Sequence, residues 1–323
     1  MAARGHIAPF RSITVFGGAN IDRVGVCRGP VIPGVSNPGT TRNFPGGVGL
    51  NVAAALARLG HPVRLVTRVG ADRDGETIAE TAAATGLDTR FIGVSLSAPT
   101  ASYLAAIDDQ GNLIIGIAAM KICDEITIAA VEPAVSSAPD DDLWIVDANL
   151  PAETLDYLVG EAEAKGRPVA GLAVSPAKAV RLTPLLDRLT LLFANRREAA
   201  AILERKSDDH HPGVTELATA LGGALVPHAV ISNGPAPIAV ASGGETRAFA
   251  PLKVKLRSVN GGGDALVAGT IHGLAGGHGL FEAVLSGLAA AALIVESDAT
   301  MMADLTPAML AERIGAPGAR SPA

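Results

Sequence analysis

The sequence predicts an α/β fold in which helices cover both faces of a mostly parallel central sheet, giving three layers, with a second, small β-sheet beside it. Two observations predict it. Strand and helix patterns alternate along the chain, and glycines open or close several of the helices. Two turn-rich apolar stretches interrupt the alternation and account for the small sheet. We expect one domain over residues 1–323.

The individual elements follow from short apolar runs and from the residues that bound them. A first strand is predicted over residues 12–16, a helix over 50–59 closed by Gly60, a strand over 63–69 and a helix over 75–85 closed by Gly86. Further strands are predicted over residues 143–146, 168–172, 189–194 and 229–232. Further helices are predicted over residues 152–164, 178–188 and 196–204, and from the glycines at 261–263 to about 274.

The small sheet is predicted from the segments at about 23–44 and 98–121. The first segment is rich in Pro, Gly and Val. The second has two apolar runs around residues 108–112, a sequence typical of a hairpin turn. Such a sheet can close over a ligand as a lid, can form an oligomer interface, or can do both.

Composition narrows the class of protein. The chain is 48% hydrophobic and 18% charged, and its net charge of −6 with a pI of about 5.7 gives no basic footprint for nucleic acid. Cys27 and Cys123 lack the spacing of a zinc site and are expected to be reduced thiols. Residues 1–10 lack a signal-peptide pattern and every apolar run is interrupted, so we expect a cytoplasmic protein without a membrane partner.

The motif richest in chemistry is Asn260-Gly261-Gly262-Gly263-Asp264, at the start of a predicted helix. A helix N-terminus carries unpaired N–H groups and partial positive charge, and glycines let an anion approach closely. Asp264 in the first turn is suited to remove a proton from a hydroxyl that attacks a phosphoryl group. Alternatively, the glycines form a tight turn and Asp264 is only a favourable first-turn acid.

Two other motifs offer polar groups to a ligand. Gly46 and Gly47 permit close backbone approach before a helix, and Asn51 has both a donor and an acceptor for neighbouring sugar hydroxyls. Asn20 and Asp22 follow the first strand, and ligands bind at the carboxyl ends of strands in open α/β sheets. The alternatives are a loop-to-helix turn with a solvent-facing Asn51 and an Asx-type turn.

A fourth motif, Asn195-Arg196-Arg197-Glu198, lies at a predicted strand-to-helix junction. As an N-cap with a capping-box partner it requires no ligand. The chain has neither a GxGxxG dinucleotide fingerprint nor the Gly-Lys pair of a P-loop. ATP, if it is used, is therefore bound without either phosphate loop.

Taken in this order, the four motifs resemble those of the ribokinase, or PfkB, family of carbohydrate and nucleoside kinases, over about residues 13–297. Residues 46–51 are similar to the first signature of the family, and residues 260–264 to the second, with Gly262 in place of an alanine. Residues 195–198 are similar to the Asn-x-x-Glu motif. The resemblance implies a ribokinase-like three-layer fold whose small sheet is a lid and also joins two subunits in a homodimer.

The resemblance also implies a small-molecule nucleoside or sugar as substrate, with ATP and Mg²⁺, and a role for each matched residue. The base would be Asp264, and the phosphoryl charge would be stabilised by the backbone N–H groups of Gly261, Gly262 and Gly263. The sugar would be held by Asn20, Asp22, Gly46, Gly47 and Asn51. The nucleotide would be positioned by Asn195, Glu198, Ser232, Asn233 and Gly234, with Glu198 reaching the metal through water.

Within the family the chain is similar to the bacterial pseudouridine kinases. The stretches that carry this likeness are residues 36–39, 46–49, 100–104, 117–120 and 147–149, and residue 175 with 178. They imply phosphorylation of the 5′-hydroxyl of pseudouridine, with Ser36, Thr100 and Ser102 among the substrate-binding residues. Ser258 departs from a family aspartate, which leaves activation by a monovalent cation open, and Leu172 also replaces a polar residue.

Three alternatives stay open. The chain is a kinase of the same family for another nucleoside or sugar, of the ribose, adenosine or fructose type, or for a sugar phosphate. It is a nucleoside-binding sensor with weakened catalysis, as Ser258 and the alanines at 118 and 119 suggest. Or it is a Rossmann-type oxidoreductase, against which the missing fingerprint argues.

Overall fold

Strands and helices alternate through the described part of this computed structural model, which comprises residues 7–204, 212–255, 257, 260–297 and 305–315. The strands are β1 (Ser12–Phe16), β2 (Asn20–Cys27), β3 (Gly39–Gly46), β4 (Val63–Gly70), β5 (Ile92–Ser95), β6 (Ser102–Ile107), β7 (Leu113–Ala119), β8 (Asp142–Asp147), β9 (Val169–Leu172), β10 (Leu191–Asn195), β11 (His228–Ser232), β12 (Ile238–Ser242) and β13 (Glu245–Phe249). The helices are α1 (Val48–Arg58), α2 (Arg73–Ala84), α3 (Ile128–Ser136), α4 (Ala152–Ala164), α5 (Pro176–Ala179), α6 (Arg196–Ile202), α7 (Val214–Leu221), α8 (Gly262–Ala275), α9 (Leu280–Val295) and α10 (Pro307–Gly315). None of these helices combines the length and the apolar composition that a membrane crossing requires.

The larger sheet has nine strands in the order β13-β12-β11-β10-β9-β8-β1-β4-β5. Its strands are parallel except for the antiparallel pairs β11–β12 and β12–β13 at one edge. The chain runs from β1 to β4 on one side and later adds β8 on the other, so the direction of winding changes at β1. Ligands bind beyond the carboxyl ends of the strands at such a switch point.

Side chains from the two faces of this sheet build two cores, which confirms the predicted three layers. On one face α1, α8 and α9 cover residues such as Val15 and Leu65. On the other face α3, α4, α6 and α7 cover neighbours such as Phe16 and Trp144. Strands covered on both sides are apolar throughout rather than alternating, and this is why they could be recognised as short continuous runs.

One predicted element differs in type. In place of an α-helix over residues 178–188, the short helix α5 begins at Pro176 and is followed by the 3₁₀ segment Val180–Arg188. Pro184 lies inside this segment and has no amide hydrogen to continue an α-helical ladder. The 3₁₀ geometry is the tighter alternative that short segments adopt.

The small sheet contains four strands in the order β3-β2-β6-β7. The hairpin predicted around residues 108–112 is confirmed, since β6 and β7 are antiparallel neighbours. Its turn is fixed by the Asp108 carboxylate, which accepts hydrogen bonds of 2.9 Å and 2.7 Å from the amides of Gln110 and Asn112. Every residue of β7 is exposed.

Candidate active site

The predicted start of a glycine-rich helix is confirmed at α8. Gly261 is the N-cap with φ 77°, and Asp264 lies in the first turn. The amides of a first turn have no partner within the helix, and the helix dipole adds positive charge there. This helix start borders a cavity together with the carboxyl ends of β9, β10 and β11.

Asp264 faces α1 across the gap between the two helices. Asn51 Nδ2 donates a hydrogen bond of 2.8 Å to Asp264 Oδ2. Burial raises the pKa of Asp264 to about 7 against the lowering effect of this hydrogen bond, and the charges of Asp147, Asp22 and Glu198 raise it further. Part of the residue is open to the cavity. A carboxyl with a pKa near neutrality and access to a ligand is suited to general-base catalysis.

The side chains after β1 and the glycines before α1 form a polar wall next to this carboxyl. Asn20 and Gly46 are partners in the ladder between β2 and β3, and Asn20 Nδ2 donates to Asp22 Oδ1 at 2.6 Å. Burial raises the pKa of Asp22. Gly47 has φ 97°, which favours glycine, and a Cβ there would lie 2.8 Å from Asn20 Oδ1. The fold thus brings together the residues predicted to hold a sugar.

The cavity beside Asp264 has a volume of about 210 Å³. Its polar lining consists of Gly263, Asp264, Asn195, Glu198 and Ser232. Its apolar lining consists of Val48, Leu172, Ala173, Val174, Phe193, Ala194, Val230, Leu266 and Val267. One ligand in this cavity can therefore touch the helix start of α8 and the strand ends on the other side.

Asn195 and Glu198 form a capping box at the start of α6, which confirms the local interpretation of their motif. Asn195 Oδ1 accepts hydrogen bonds from the amides of Arg197 and Glu198, and Glu198 Oε2 accepts one of 2.8 Å from the amide of Asn195. Burial raises the pKa of Glu198. Because both side chains also line the cavity, a capping role leaves room for ligand binding, which stays a prediction.

The predicted nucleotide loop begins at the cavity. Ser232 is the last residue of β11 and lines the cavity, and Asn233 and Gly234 continue into the turn that follows. Ser258, on which the question of a monovalent cation rests, lies outside the described residues.

None of the eight predicted substrate residues lines this cavity, and three of them also lie outside the polar wall beside Asp264. Ser36 is exposed in the connection between β2 and β3, and Ser102 is half-buried at the start of β6. Thr100 is buried, and its hydroxyl donates to Asp72 Oδ1 at 2.6 Å and accepts from the amide of Gly70 at 2.8 Å. The Thr100 hydroxyl therefore ties together the chain before β6 and the chain before α2.

Two features of the site are absent from the predicted set. Asp147, the last residue of β8, is fully buried and accepts a hydrogen bond of 2.8 Å from the amide of Gly18. Its signal is present in the sequence, because it is a polar residue directly after a buried apolar run. Val174 in the cavity wall has φ 67°, a strained conformation for a β-branched residue and one that clusters at functional sites.

The residues present fit a nucleotide and Mg²⁺. In the described ranges no group of three or more His, Cys, Asp and Glu side chains is placed to hold a metal ion. Mg²⁺ does not need one, since it keeps several waters and binds through one or two carboxylates and the phosphates of its ligand. The Glu198 carboxyl in the cavity wall offers one such ligand, and the amides at the start of α8 offer an anion site.

Comparison with known proteins adds independent findings. Residues 11–306 match the sequence model of a protein family described as "pfkB family carbohydrate kinase". The chain is 29% identical over 271 residues to the pseudouridine kinase of Escherichia coli (strain K12), which covers 80% of this chain and 82% of that protein.

Two solved structures are similar throughout. A carbohydrate kinase from Agrobacterium tumefaciens has a TM-score of 0.79 and 34% sequence identity, covering 94% of this chain and 97% of that one. Arabidopsis thaliana ribokinase, solved with ribose and ATP, has a TM-score of 0.77 at 19% identity, covering 96% of this chain and 100% of that one. The second likeness concerns the fold alone.

Proposed function

The chain belongs to the pfkB family of carbohydrate kinases and is a phosphotransferase that acts on a hydroxyl group, and from this premise we propose its reaction. It transfers the γ-phosphoryl group of ATP to the 5′-hydroxyl of a ribosyl nucleoside, with pseudouridine as the substrate. The observation that carries the proposal is the position of Asp264. It stands at a helix start suited to phosphate, within reach of a polar wall suited to a sugar.

In this proposal Asp264 accepts the proton of the attacking hydroxyl. Its pKa of about 7 means that the carboxylate is well populated at neutral pH and is still basic enough to take a proton. The amides of Gly261, Gly262 and Gly263 donate to the phosphoryl oxygens, where negative charge must be stabilised. ATP supplies the phosphoryl group when it is bound, and Mg²⁺ neutralises part of its charge.

A neutral polyol fits the acceptor wall better than a sugar phosphate. Asn20, Asp22 and Asn51 offer amide donors and carboxylate acceptors to hydroxyl groups. Asp22, Asp147 and Asp264 influence one another closely enough to raise the pKa of Asp264. A phosphate brought to the same wall would be repelled by these carboxylates.

Pseudouridine is favoured among neutral acceptors by the similarity to the Escherichia coli enzyme and by the motifs on the small sheet. Ser36 and Ser102 belong to the connection and the strand of that sheet. We propose that they approach the uracil ring when the small sheet closes as a lid, and that closure excludes water from the reaction. Thr100 holds the base of this lid through Asp72 rather than contacting the ring.

The nucleotide is proposed to occupy the cavity beyond the start of α8. Asn195, Glu198 and Ser232 line it, and Asn233 and Gly234 follow directly. Glu198 is proposed to position Mg²⁺ through water. Its capping-box contact uses Oε2, and the residue also lines the cavity, where a water molecule could bridge it to the metal.

The small sheet is also proposed to join two copies of the chain. The strand β7 lies at its edge and exposes Leu113, Ile114, Ile115 and Ile117. An exposed, apolar edge strand pairs readily with another chain. A homodimer built on β7 would cover it.

The proposal is tested by ADP release from ATP and Mg²⁺ with a panel of acceptors: pseudouridine, uridine, cytidine, adenosine, ribose and ribose 5-phosphate. Asp264→Asn should reduce turnover by at least about 10²-fold, the lower end of a general-base contribution, and leave nucleoside binding intact. Asp187→Asn, which changes an exposed carboxyl in the 3₁₀ segment, is the matched control and should retain full turnover.

Selective turnover of pseudouridine that only Asp264→Asn abolishes supports the whole proposal. Turnover of another acceptor retains the kinase and replaces its substrate. Calorimetric binding of a nucleoside without turnover of any acceptor favours the sensor.

A further inference from the structure

Asp147 connects three elements of the site, and it belongs to the stretch 147–149, which carries part of the likeness to pseudouridine kinases but no assigned role. Its side chain is fully buried at the end of β8. Oδ2 accepts a hydrogen bond of 2.8 Å from the amide of Gly18, and Oδ1 accepts one of 2.8 Å from the amide of Asn149. The carboxylate therefore fixes the backbone between β1 and β2, where Asn20 follows.

The same contact reaches α1 through the backbone of Gly18. The Gly18 carbonyl accepts hydrogen bonds of 3.1 Å and 3.4 Å from the amides of Gly49 and Leu50 in the first turn of α1. There is no space for a side chain between these segments, since a Cβ on Gly17 would lie 2.4 Å from Asp147 Oδ2 and 2.9 Å from Gly49 Cα. A displacement at Asp147 is thus transmitted to Asn20 and to the helix that carries Asn51.

Lys178 is the cation whose charge acts on Asp147, and Arg181 lies beside it, donating to the carbonyls of Ala148, Asn149 and Leu150. Burial raises the pKa of Asp147, whereas the amides that it accepts from and the charge of Lys178 lower it. Lys178 Nζ donates to Asn149 Oδ1 at 2.5 Å, which holds the ammonium group in place. Cys123 also faces this carboxyl, but burial raises its pKa to about 12, so the thiol is neutral.

We propose that Asp147 is a positioning residue for the neutral acceptor, acting through the Gly18 amide to set Asn20 and Asn51 relative to Asp264. This inference rests on the proposed function. Asp147 does not touch the reacting atoms in this scheme. Its charge has a second effect, because Asp147 is one of three carboxyl groups, with Asp22 and Glu198, that raise the pKa of Asp264.

The test is Asp147→Asn, which keeps the shape of the side chain but turns an NH₂ group towards one of two amides that need an acceptor. We expect the acceptor KM to rise about 10-fold or more, the effect of losing a charge-assisted hydrogen bond, while the ATP KM changes less than about 2-fold. We also expect the acid limb of kcat/KM to move to lower pH, because a negative charge near Asp264 has been removed. A purely structural role would not move that limb.

Asp142→Asn is the matched control. Asp142 is equally buried on the same strand, but it accepts from Thr14 Oγ1 and Arg64 at the opposite end of the sheet. This variant should melt at lower temperature without changing the acceptor KM or the pH limb. Equal effects of the two substitutions on the acceptor KM would overturn the proposal, as would an unchanged acceptor KM and pH limb in a folded Asp147→Asn.

Should Asp147→Asn fail to fold, Lys178→Gln gives the second test, with Lys165→Gln on the surface as its control. It removes the ammonium group that holds Asn149, whose backbone amide donates to Asp147, so the acceptor KM should rise while the ATP KM stays near its wild-type value. An unchanged acceptor KM in a folded Lys178→Gln would overturn the proposal. The affinity of every variant for the acceptor is also measured by calorimetry. A wild type that phosphorylates no acceptor refutes the proposed function. An active wild type whose variants keep the wild-type acceptor KM refutes only the role of Asp147.

Discussion

Replacing Asn51 with leucine is predicted to weaken the base rather than to remove it. Asn51 Nδ2 donates to Asp264 Oδ2 at 2.8 Å, and this contact lowers a pKa that burial has raised to about 7. Leucine has a similar shape and no donor. The substitution destabilises the ionised carboxylate, which loses a hydrogen bond, more than it destabilises the protonated form. The pKa of Asp264 must therefore rise.

The magnitude follows from the strength of such a bond. A hydrogen bond to a charged group contributes about 1.5–3 kcal/mol, and one pKa unit corresponds to about 1.4 kcal/mol, so the pKa should rise by about 1–2 units. At pH 7 the ionised fraction would then fall from about a half to between about a tenth and a hundredth. We expect kcat at pH 7 to fall about 5- to 50-fold and to recover near pH 9.

The measurement is rapid-quench formation of ADP at saturating acceptor, from pH 6 to pH 9.5. Saturation matters because Asn51 is also predicted to hold the sugar, so that KM should rise as well. A loss at pH 7 that persists at pH 9 would show that Asn51 acts on the acceptor alone. A kcat unaffected at every pH would refute the assignment of Asp264 as the base.

Three further predictions concern the acceptor wall, the small sheet and the base. Gly47→Ala should raise the acceptor KM strongly, because φ 97° is strained for alanine and its Cβ would press on Asn20 Oδ1. Steady-state kinetics with both substrates would contradict this prediction if only the ATP KM changed. If the proposed dimer forms through β7, Ile115→Lys combined with Ile117→Lys should lower the sedimentation coefficient to that of a monomer, and an unchanged coefficient would contradict dimerisation through β7. Asp264→Asn should raise the melting temperature at pH 8 and leave it nearly unchanged at pH 4. The reason is that the pKa of Asp264 is higher in the folded than in the unfolded protein, so its ionisation destabilises the folded protein as pH rises from about 4 through about 7. Equal changes in melting temperature at both pH values would count against this pKa.

The parts of the fold that can be predicted from sequence are those with local causes. The strand β8 is a run of buried residues, α8 begins at three glycines, and the capping box at Asn195 and Glu198 is complete within four residues. The 3₁₀ segment Val180–Arg188 shows the limit of this reasoning. The spacing of its apolar residues predicts a helix, but it does not distinguish an α-helix from a 3₁₀ helix, which depends on the backbone hydrogen bonds around Pro184.

The site depends on pairs that are distant in sequence. Asn51 and Asp264 are separated by 213 residues, and Gly18 and Asp147 by 129. Their contact follows from the strand order around β1, which single runs do not encode. Thr100 illustrates the converse, because a hydroxyl in a polar loop resembles a ligand until Asp72 is found to accept its hydrogen bond.

Four carboxyl groups from four elements surround the site: Asp22 on β2, Asp147 on β8, Glu198 on α6 and Asp264 on α8. Burial raises the pKa of every one. Each accepts a hydrogen bond from a different amide group, of a side chain or of the backbone, and this bond partly offsets the cost of holding a negative charge near the others. On the acceptor side, Asp22 and Asp147 favour hydroxyl donors and repel anions, whereas Glu198 lies in the cavity proposed for the nucleotide, where Mg²⁺ would offset its charge. In the proposed reaction the phosphate is met by backbone amides at the start of α8. This separation of charges explains how a chain without a P-loop lysine can bring phosphate to an aspartate.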